Sequence, residues 1–186
     1  MTVAPADPFV RVPPLLAAAA RTEADRCLYC FDAPCARACP SEIDVPGFIR
    51  KIATGNVAGA ARTILAANPL GSTCGAVCPV ERLCEGACVR KGLDRPIAIG
   101  RLQQGAVDEF AQTGEPFFTP GADAGVSAAV VGAGPAGLAC AAELRRAGVA
   151  VTLYDESPRA GGLADHGKLH DDRSRADLRG RRRRIG

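Results

Sequence analysis

Up to about residue 114 the chain reads as short helices; beyond residue 125 it reads as strand and helix in alternation. "LLAAAARTEADRCLYC" has helical composition, and two short helices are expected near 46–54 and 56–67, separated by Gly55 and Asn56. "PIAIGRLQQGAVDEFAQTG" predicts a further helix opened by Pro96 and closed by Gly114. "AAVV", then "GAGPAG", a helix through Arg146 and "AVTLYD" predict a β-α-β unit. The expected organisation is therefore an extended Pro-rich N-terminus at 1–14 and a helical domain at 15–114. A linker at 115–125, a partial Rossmann-like β-α-β unit at 126–167 and a disordered basic tail at 168–186 follow. The fold class is α plus α/β.

Composition changes this picture in two places. The chain has 23 basic and 20 acidic residues among 186, but residues 168–186 hold eight basic and three acidic ones. Net charge thus gives no general argument for nucleic acid or a membrane as partner. With no Trp and 4% aromatic residues, a small domain here needs staples, and nine cysteines can supply them. The first 25 residues lack a basic region and a long apolar run, so neither a signal peptide nor a membrane span is expected. A cytoplasmic location follows, where cysteines serve as metal ligands or redox groups more often than as disulfides.

Eight of the nine cysteines fall in two arrays. Cys27, Cys30, Cys35 and Cys39 form C-x2-C-x4-C-x3-C-P; Cys74, Cys78, Cys84 and Cys88 form the second. Four cysteines around one zinc ion are commonly two C-x2-C clips brought together, and neither array has two such clips. Each array instead carries a Cys-Pro, at Cys39-Pro40 and Cys78-Pro79. A close run ending in Cys-Pro is the bacterial ferredoxin signature, in which the fourth cysteine serves the other cluster of a pair. The arrays thus point to two 4Fe-4S clusters with shared ligands, and spacing alone makes Cys74 a better eighth ligand than any amide.

"CLYCFDAPCARACP" together with "CGAVCPVERLCEGACVRKGLDRPIAIGRLQ" resembles the N-terminal cluster domain of dihydropyrimidine dehydrogenases, in particular the electron-input subunit of the bacterial NAD-dependent enzyme. The small subunit of glutamate synthase shares the cysteine pattern. The resemblance covers about residues 15–165 and implies an all-helical, ferredoxin-like double-cluster fold. It implies Cys27, Cys30, Cys35 and Cys88 on one cluster, and Cys39, Cys78 and Cys84 on the other. The matching position for the eighth ligand is Gln103, which leaves Cys74 as a neighbouring buried thiol. Glutamate synthase small subunits tend to carry glutamate there, so Gln103 tilts the likeness towards the pyrimidine enzyme.

Gly132, Gly134 and Gly137 form G-x-G-x-x-G between the expected strand and helix, and Asp155 follows 18 residues after Gly137. The first glycine permits a tight turn, the second lets backbone approach a pyrophosphate, and the helix N-terminus adds positive dipole. An acidic residue after the second strand can bind ribose hydroxyls. NAD and FAD both use this pattern, and the resemblance selects FAD. It carries Gly132, Ala133, Gly134, Pro135 and Ala136, with Gly137, Asp155 and the "GGL" of Gly161, Gly162 and Leu163, as cofactor-binding residues. Cys140, inside the helix, reads as a small core residue.

After "AGGLADHGK" the family likeness stops, and "LHDDRSRADLRGRRRRIG" has almost no apolar periodicity. A single β-α-β unit cannot bury both faces of its sheet, so the flavin site is expected to be incomplete and the chain a truncated or frameshifted product or a fragment. No acid–base or nucleophile constellation stands out; the two histidines, His166 and His170, lie at the anomalous end, and no catalytic residue is assigned. In the intact family, the resemblance implies, NAD(P)H reduces FAD and electrons pass through the clusters to a catalytic partner. That partner is an FMN-dependent pyrimidine-reducing subunit or a glutamate synthase large subunit. The rival from another class is a zinc-stapled binding module whose basic tail contacts nucleic acid.

Overall fold

The computed structural model describes residues 14–15 and 17–164, so the tail at 168–186, both histidines and nearly all of the 1–14 segment lie outside the described residues. The chain divides into two compact units between Phe117 and Phe118. The first holds helices α1 (Ala17–Ala24), α2 (Pro34–Arg37), α3 (Val45–Ala53), α4 (Val57–Ala67), α5 (Gly71–Val77) and α6 (Ile99–Gln112). The second holds strand β1 (Ser127–Val131), helix α7 (Pro135–Arg146) and strand β2 (Ala150–Tyr154). The described chain is mostly helical with one small parallel sheet. No described helix is long and apolar enough to cross a membrane.

Helical spacing of apolar residues builds the core of the first unit. Val45, Phe48, Ile49 and Ile52 form one stripe of α3, and Ala60, Ala61, Ile64 and Leu65 form that of α4. Both meet Ile99, Leu102, Ala106, Val107 and Phe110 of α6. Each large side chain buried there stabilises the fold by roughly 1.5–3 kcal/mol. The break between α3 and α4 is where the sequence puts it. Gly55 adopts φ +80°, and the Asn56 side chain caps α4 by accepting from Gly59 N at 2.8 Å. Asp44 caps α3 in the same way, accepting from Gly47 N at 2.9 Å.

Two features differ from the sequence expectation. Helix α5 has no periodic signature, and it forms because it packs on α6. The contact is close: a Cβ on Gly75 would stand 2.7 Å from the Gly100 carbonyl oxygen, and one on Gly100 2.9 Å from that of Gly75. Helix α6 starts at Ile99 rather than at Pro96, because its leading N–H groups are claimed by distant carboxylates described below.

The second unit is a β-α-β unit in which β1 and β2 pair in parallel, from Ser127 opposite Ala150 to Val131 opposite Tyr154. Its buried hydrophobic residues, among those described, are Ala133 and Ala141. Val131 is 87% exposed, and Val126, Leu153, Tyr154 and Leu163 are exposed too.

Candidate functional site

The first unit gathers the cysteines into two groups, each mixing the two arrays. Cys27, Cys30, Cys35 and Cys88 line one pocket of about 350 Å³, partly open to solvent, with Pro34, Ile49, Ile97 and Ile99 among its walls. Tyr29 stands between the first two with φ +50°, an uncommon conformation for a side-chain-bearing residue. The Arg50 guanidinium lies 4.7 Å from the centre of its ring. Burial pushes the Cys35 thiol up to about 11, reinforced by the charge of Cys88. Burial also raises Cys27, again with Cys88 adding to it.

The second group is Cys39, Cys78 and Cys84, with Cys74 beside it. Burial pushes Cys84 up to about 12, with the charges of Glu85 and Cys39 adding to it. Cys78 is raised first by its hydrogen bond with Cys74, then by burial and the charges of Cys74, Cys84 and Cys39. The same bond, helped by Asn68, favours Cys74 as the thiolate against the opposing effect of burial. Cys78 and Cys84 thus each feel the charge of Cys39, and Cys78 is the cysteine that perturbs Cys74. Gln103, buried on α6, donates from Nε2 to the Gly71 carbonyl at 2.6 Å, and Gly71 opens the helix that carries Cys74. The amide is thereby fixed against α5, with Oε1 as its lone-pair donor.

The donor sets suit clusters. Among the described residues no three His, Cys, Asp or Glu side chains converge closely enough to hold a single metal ion. Thiolates bound to the several irons of a cluster stand further apart than ligands of one ion. All eight array cysteines are free thiols, half-buried, and a thiol gives up its proton on binding a metal.

Two carboxylates that the sequence did not single out anchor α6 between the groups. Ala98, which precedes the helix, has no local side-chain cap. Glu23 of α1 accepts from Ala98 N at 2.9 Å, and Glu85, between Cys84 and Cys88, accepts from Gly100 N at 3.0 Å. Both sit where helix N–H groups lack intrahelical partners and the dipole favours negative charge. Burial alone would raise Glu23, but Arg95, the Ala98 N–H and the charges of Arg26 and Arg95 outweigh it and hold the carboxyl low. Burial raises Glu85, and the Gly100 N–H only partly offsets it. Nothing local in the sequence signals either role, because the partners lie 75 and 15 residues away.

In the second unit, the turn between β1 and α7 has the geometry that its glycines imply. Gly132 sits at φ +99°, and a Cβ on Gly137 would fall 1.8 Å from the Gly132 carbonyl oxygen. A Cβ on Gly134 would meet nothing within 4 Å, so that face of the turn is open at the start of α7. Pro135 opens the helix, and Ala136 and Gly137 complete its first turn. Gly161 N donates to the Ala133 carbonyl at 2.7 Å, and a Cβ on Gly162 would stand 3.0 Å from the Gly134 Cα. Leu163 lies in the short turn at Gly162–Ala164. Asp155 follows β2 directly and accepts from Ala133 N at 2.6 Å and from Ser157 N at 2.7 Å. The sequence-predicted residues thus meet around one open, amide-lined turn, which fits the approach of a dinucleotide phosphate. Cys140 is exposed on α7, not part of a core as the sequence suggested.

Comparison with known proteins gives these two sites a context. Residues 9–115 match the family described as dihydropyrimidine dehydrogenase domain II, 4Fe-4S cluster. Residues 130–181 match an NAD(P)-binding Rossmann-like domain, a match that continues past Lys168 into residues outside the described ones. The chain is 46% identical over 145 residues to the NAD-dependent dihydropyrimidine dehydrogenase subunit PreT of Salmonella typhimurium, covering 78% of this chain and 35% of that protein. The PreT of Escherichia coli K12 and a PreT homolog of Salmonella typhi give the same identity and coverage. The chain therefore spans about a third of the length of the curated relatives it matches. Because the first match extends over more than half of its residues, the chain belongs to the dihydropyrimidine dehydrogenase domain II, 4Fe-4S cluster family.

Proposed function

We propose that this chain is the electron-input portion of an NAD(P)H-dependent iron–sulfur flavoprotein of the NAD-dependent dihydropyrimidine dehydrogenase type. The observation that carries the proposal is the partition of the cysteines: each group draws residues from both arrays, as paired clusters with shared runs require. Cys27, Cys30, Cys35 and Cys88 would hold one 4Fe-4S cluster; Cys39, Cys78, Cys84 and Gln103 the other, in a ferredoxin-like double-cluster domain. Gln103 is favoured over Cys74 because it matches the family position and is buried on α6 with its amide fixed by the Gly71 carbonyl, while Cys74 already pairs with Cys78. An amide in place of a thiolate changes the charge of its cluster, one of the levers on potential.

When bound, the clusters supply single-electron transfer and a flavin supplies the exchange between hydride and single electrons. This chain's residues do the rest. Gly134 and the α7 N-terminus would present amides to the FAD pyrophosphate, the Gly132 N–H being donated to the Tyr154 carbonyl, and Asp155 orders the turn through Ala133 N. The buried walls of Ile49, Ile97 and Ile99 would limit water at a cluster held by the first group. Electrons would leave to a catalytic partner. Glutamine rather than glutamate at 103 and the names of the relatives favour an FMN-dependent pyrimidine-reducing subunit over a glutamate synthase large subunit. Metal-ligating cysteines suit a reducing compartment, which supports a cytoplasmic location.

Anaerobically purified protein is expected to be brown and to contain roughly eight iron atoms and as many labile sulfides per chain. Stoichiometric zinc with negligible iron after anaerobic reconstitution would overturn the proposal in favour of a zinc-stapled binding module.

A further inference from the structure

We infer that Glu23, Arg26, Asp94 and Arg95 form a latch that positions Cys88 at the first cluster, and that this latch sets the stability of that cluster selectively. It presupposes the two-cluster function proposed above. Three ligands of the first group lie within residues 27–35, while the fourth, Cys88, comes from the second array. Closing such a site requires the backbone just before Cys27 to be fixed against the backbone just after Cys88. Those are the segments that the latch joins.

Glu23 ends in a buried carboxylate with 6% of the residue exposed. Arg95 grips it at both oxygens, with Nη1 donating to Oε1 at 3.0 Å and Nη2 to Oε2 at 2.7 Å. Arg26, adjacent to Cys27, donates from Nη1 to the same Glu23 Oε1. From Nη2 it reaches Asp94 Oδ2 at 3.0 Å and the Arg95 carbonyl at 2.8 Å. Arg90, two residues past Cys88, donates to Asp94 Oδ2 at 2.7 Å. The network is continuous from residue 23 to residue 98 and flanks one cysteine group. The second group is anchored differently: Cys78 caps the end of α5, and α5 packs on α6, which carries Gln103. A bidentate Arg–carboxylate pair gives geometric definition as well as attraction, which suits positioning. Supporting residues around metal ligands typically alter metal affinity by about 10- to 100-fold when removed.

The test compares Glu23→Gln, Arg95→Met and Arg95→Lys in the full chain, purified anaerobically. Cys88→Ser and Cys84→Ser proteins supply reference spectra in which one cluster is perturbed at a time. Wild-type protein with roughly eight irons establishes that both clusters bind, and a wild type without iron would sink the two-cluster function itself, separately from the latch. With both clusters bound, Glu23→Gln and Arg95→Met are expected to speed chelator removal of the first cluster by about tenfold, leaving the second cluster's spectrum and removal rate unchanged. Arg95→Lys, which keeps the charge but not the two-point grip, is expected to fall between. Arg62→Met, which breaks the exposed Arg62–Glu115 ion pair of the same unit, serves as a control without effect. Should Glu23→Gln fail to fold, Arg95→Lys and Asp94→Asn, which leave Glu23 in place, still decide the matter. Equal loss of both clusters in these milder variants, or no change in either, would overturn the latch.

Discussion

The two units use glycine and burial in opposite ways. In the first, Gly75 and Gly100 let two helices approach until their backbones nearly touch, and sixteen buried hydrophobic residues fill the space around them. In the second, the glycines open a turn, and Ala133 and Ala141 are the buried hydrophobics among the described residues. The first unit can therefore hold its cysteines in place by packing. The second presents a binding turn on a scaffold whose sheet leaves Val131 and Tyr154 exposed, and a two-stranded sheet gains independent stability only with further strands or good packing. The comparison separates metal binding from nucleotide chemistry, and each can be tested without the other.

The largest expected effect is on reduction. Dithionite should bleach the clusters, while NADH and NADPH should reduce them very slowly or not at all in this chain alone. The glycine turn offers phosphate-binding amides, but the described residues form one β-α-β unit, with no further strand among them to wall a flavin ring. Stoichiometric FAD together with rapid cluster reduction by either nucleotide, followed by anaerobic absorbance, would break the contrast between the units.

Truncating a side chain in each unit sharpens it. Ile64 is fully buried between α4 and its neighbours, so Ile64→Ala is expected to cost about 2–5 kcal/mol and to lower the content of both clusters. Leu153, on the exposed sheet, should cost under about 1 kcal/mol on the same change, with iron content unaltered. Thermal unfolding and iron analysis measure both.

Within the cluster unit, Cys84→Ser should remove one cluster and roughly half the iron, whereas Cys74→Ser should leave both in place. Gln103→Ala should change the spectrum or potential of the second cluster only. If Cys74→Ser loses a cluster while Gln103→Ala changes nothing, the eighth ligand is Cys74.

What the sequence made legible divides along physical lines. Local signals worked: Gly55 and Asn56 separate α3 from α4, and the Gly132 turn lies between a strand and a helix. The Cys-Pro ending of each run predicts that its four cysteines divide between two sites, and the first pocket is lined by Cys27, Cys30, Cys35 and Cys88 but not by Cys39. It could not say that Cys88 closes the first group, since that depends on contacts between residues 68 to 75 positions apart. Helix α5 has no local signal for the same reason: a seven-residue, glycine-bearing segment has little propensity of its own and is helical because α6 supports it. Helix α6 begins three residues beyond Pro96, a local helix-opening signal, because the caps come from Glu23 and Glu85 elsewhere in the chain.

Those two caps allow the finest test, because one end of the unit holds carboxylates shifted in opposite directions. Burial raises Glu85, so its folded form favours the proton; its favourable contribution is present below the ordinary carboxylate range and is lost as pH rises through the folded value. Glu23 is held low by Arg95, Ala98 N and Arg26 despite its burial; its contribution is present above the ordinary range and is lost as pH falls through the folded value. Glu85→Gln keeps an acceptor for Gly100 N and removes the charge that burial opposes. At neutral pH it is expected to raise the unfolding temperature by about 2 °C, a few tenths of a kcal/mol for a unit of this size. The gain should shrink on acidification to about pH 4, where wild-type Glu85 carries its proton too. Glu23→Gln should run the other way, destabilising most at neutral pH and least in acid. Unfolding temperatures of the two variants measured across pH 4 to 8 check both signs; a Glu85→Gln gain that grows in acid would mean that the carboxylate, not burial, governs that end of α6.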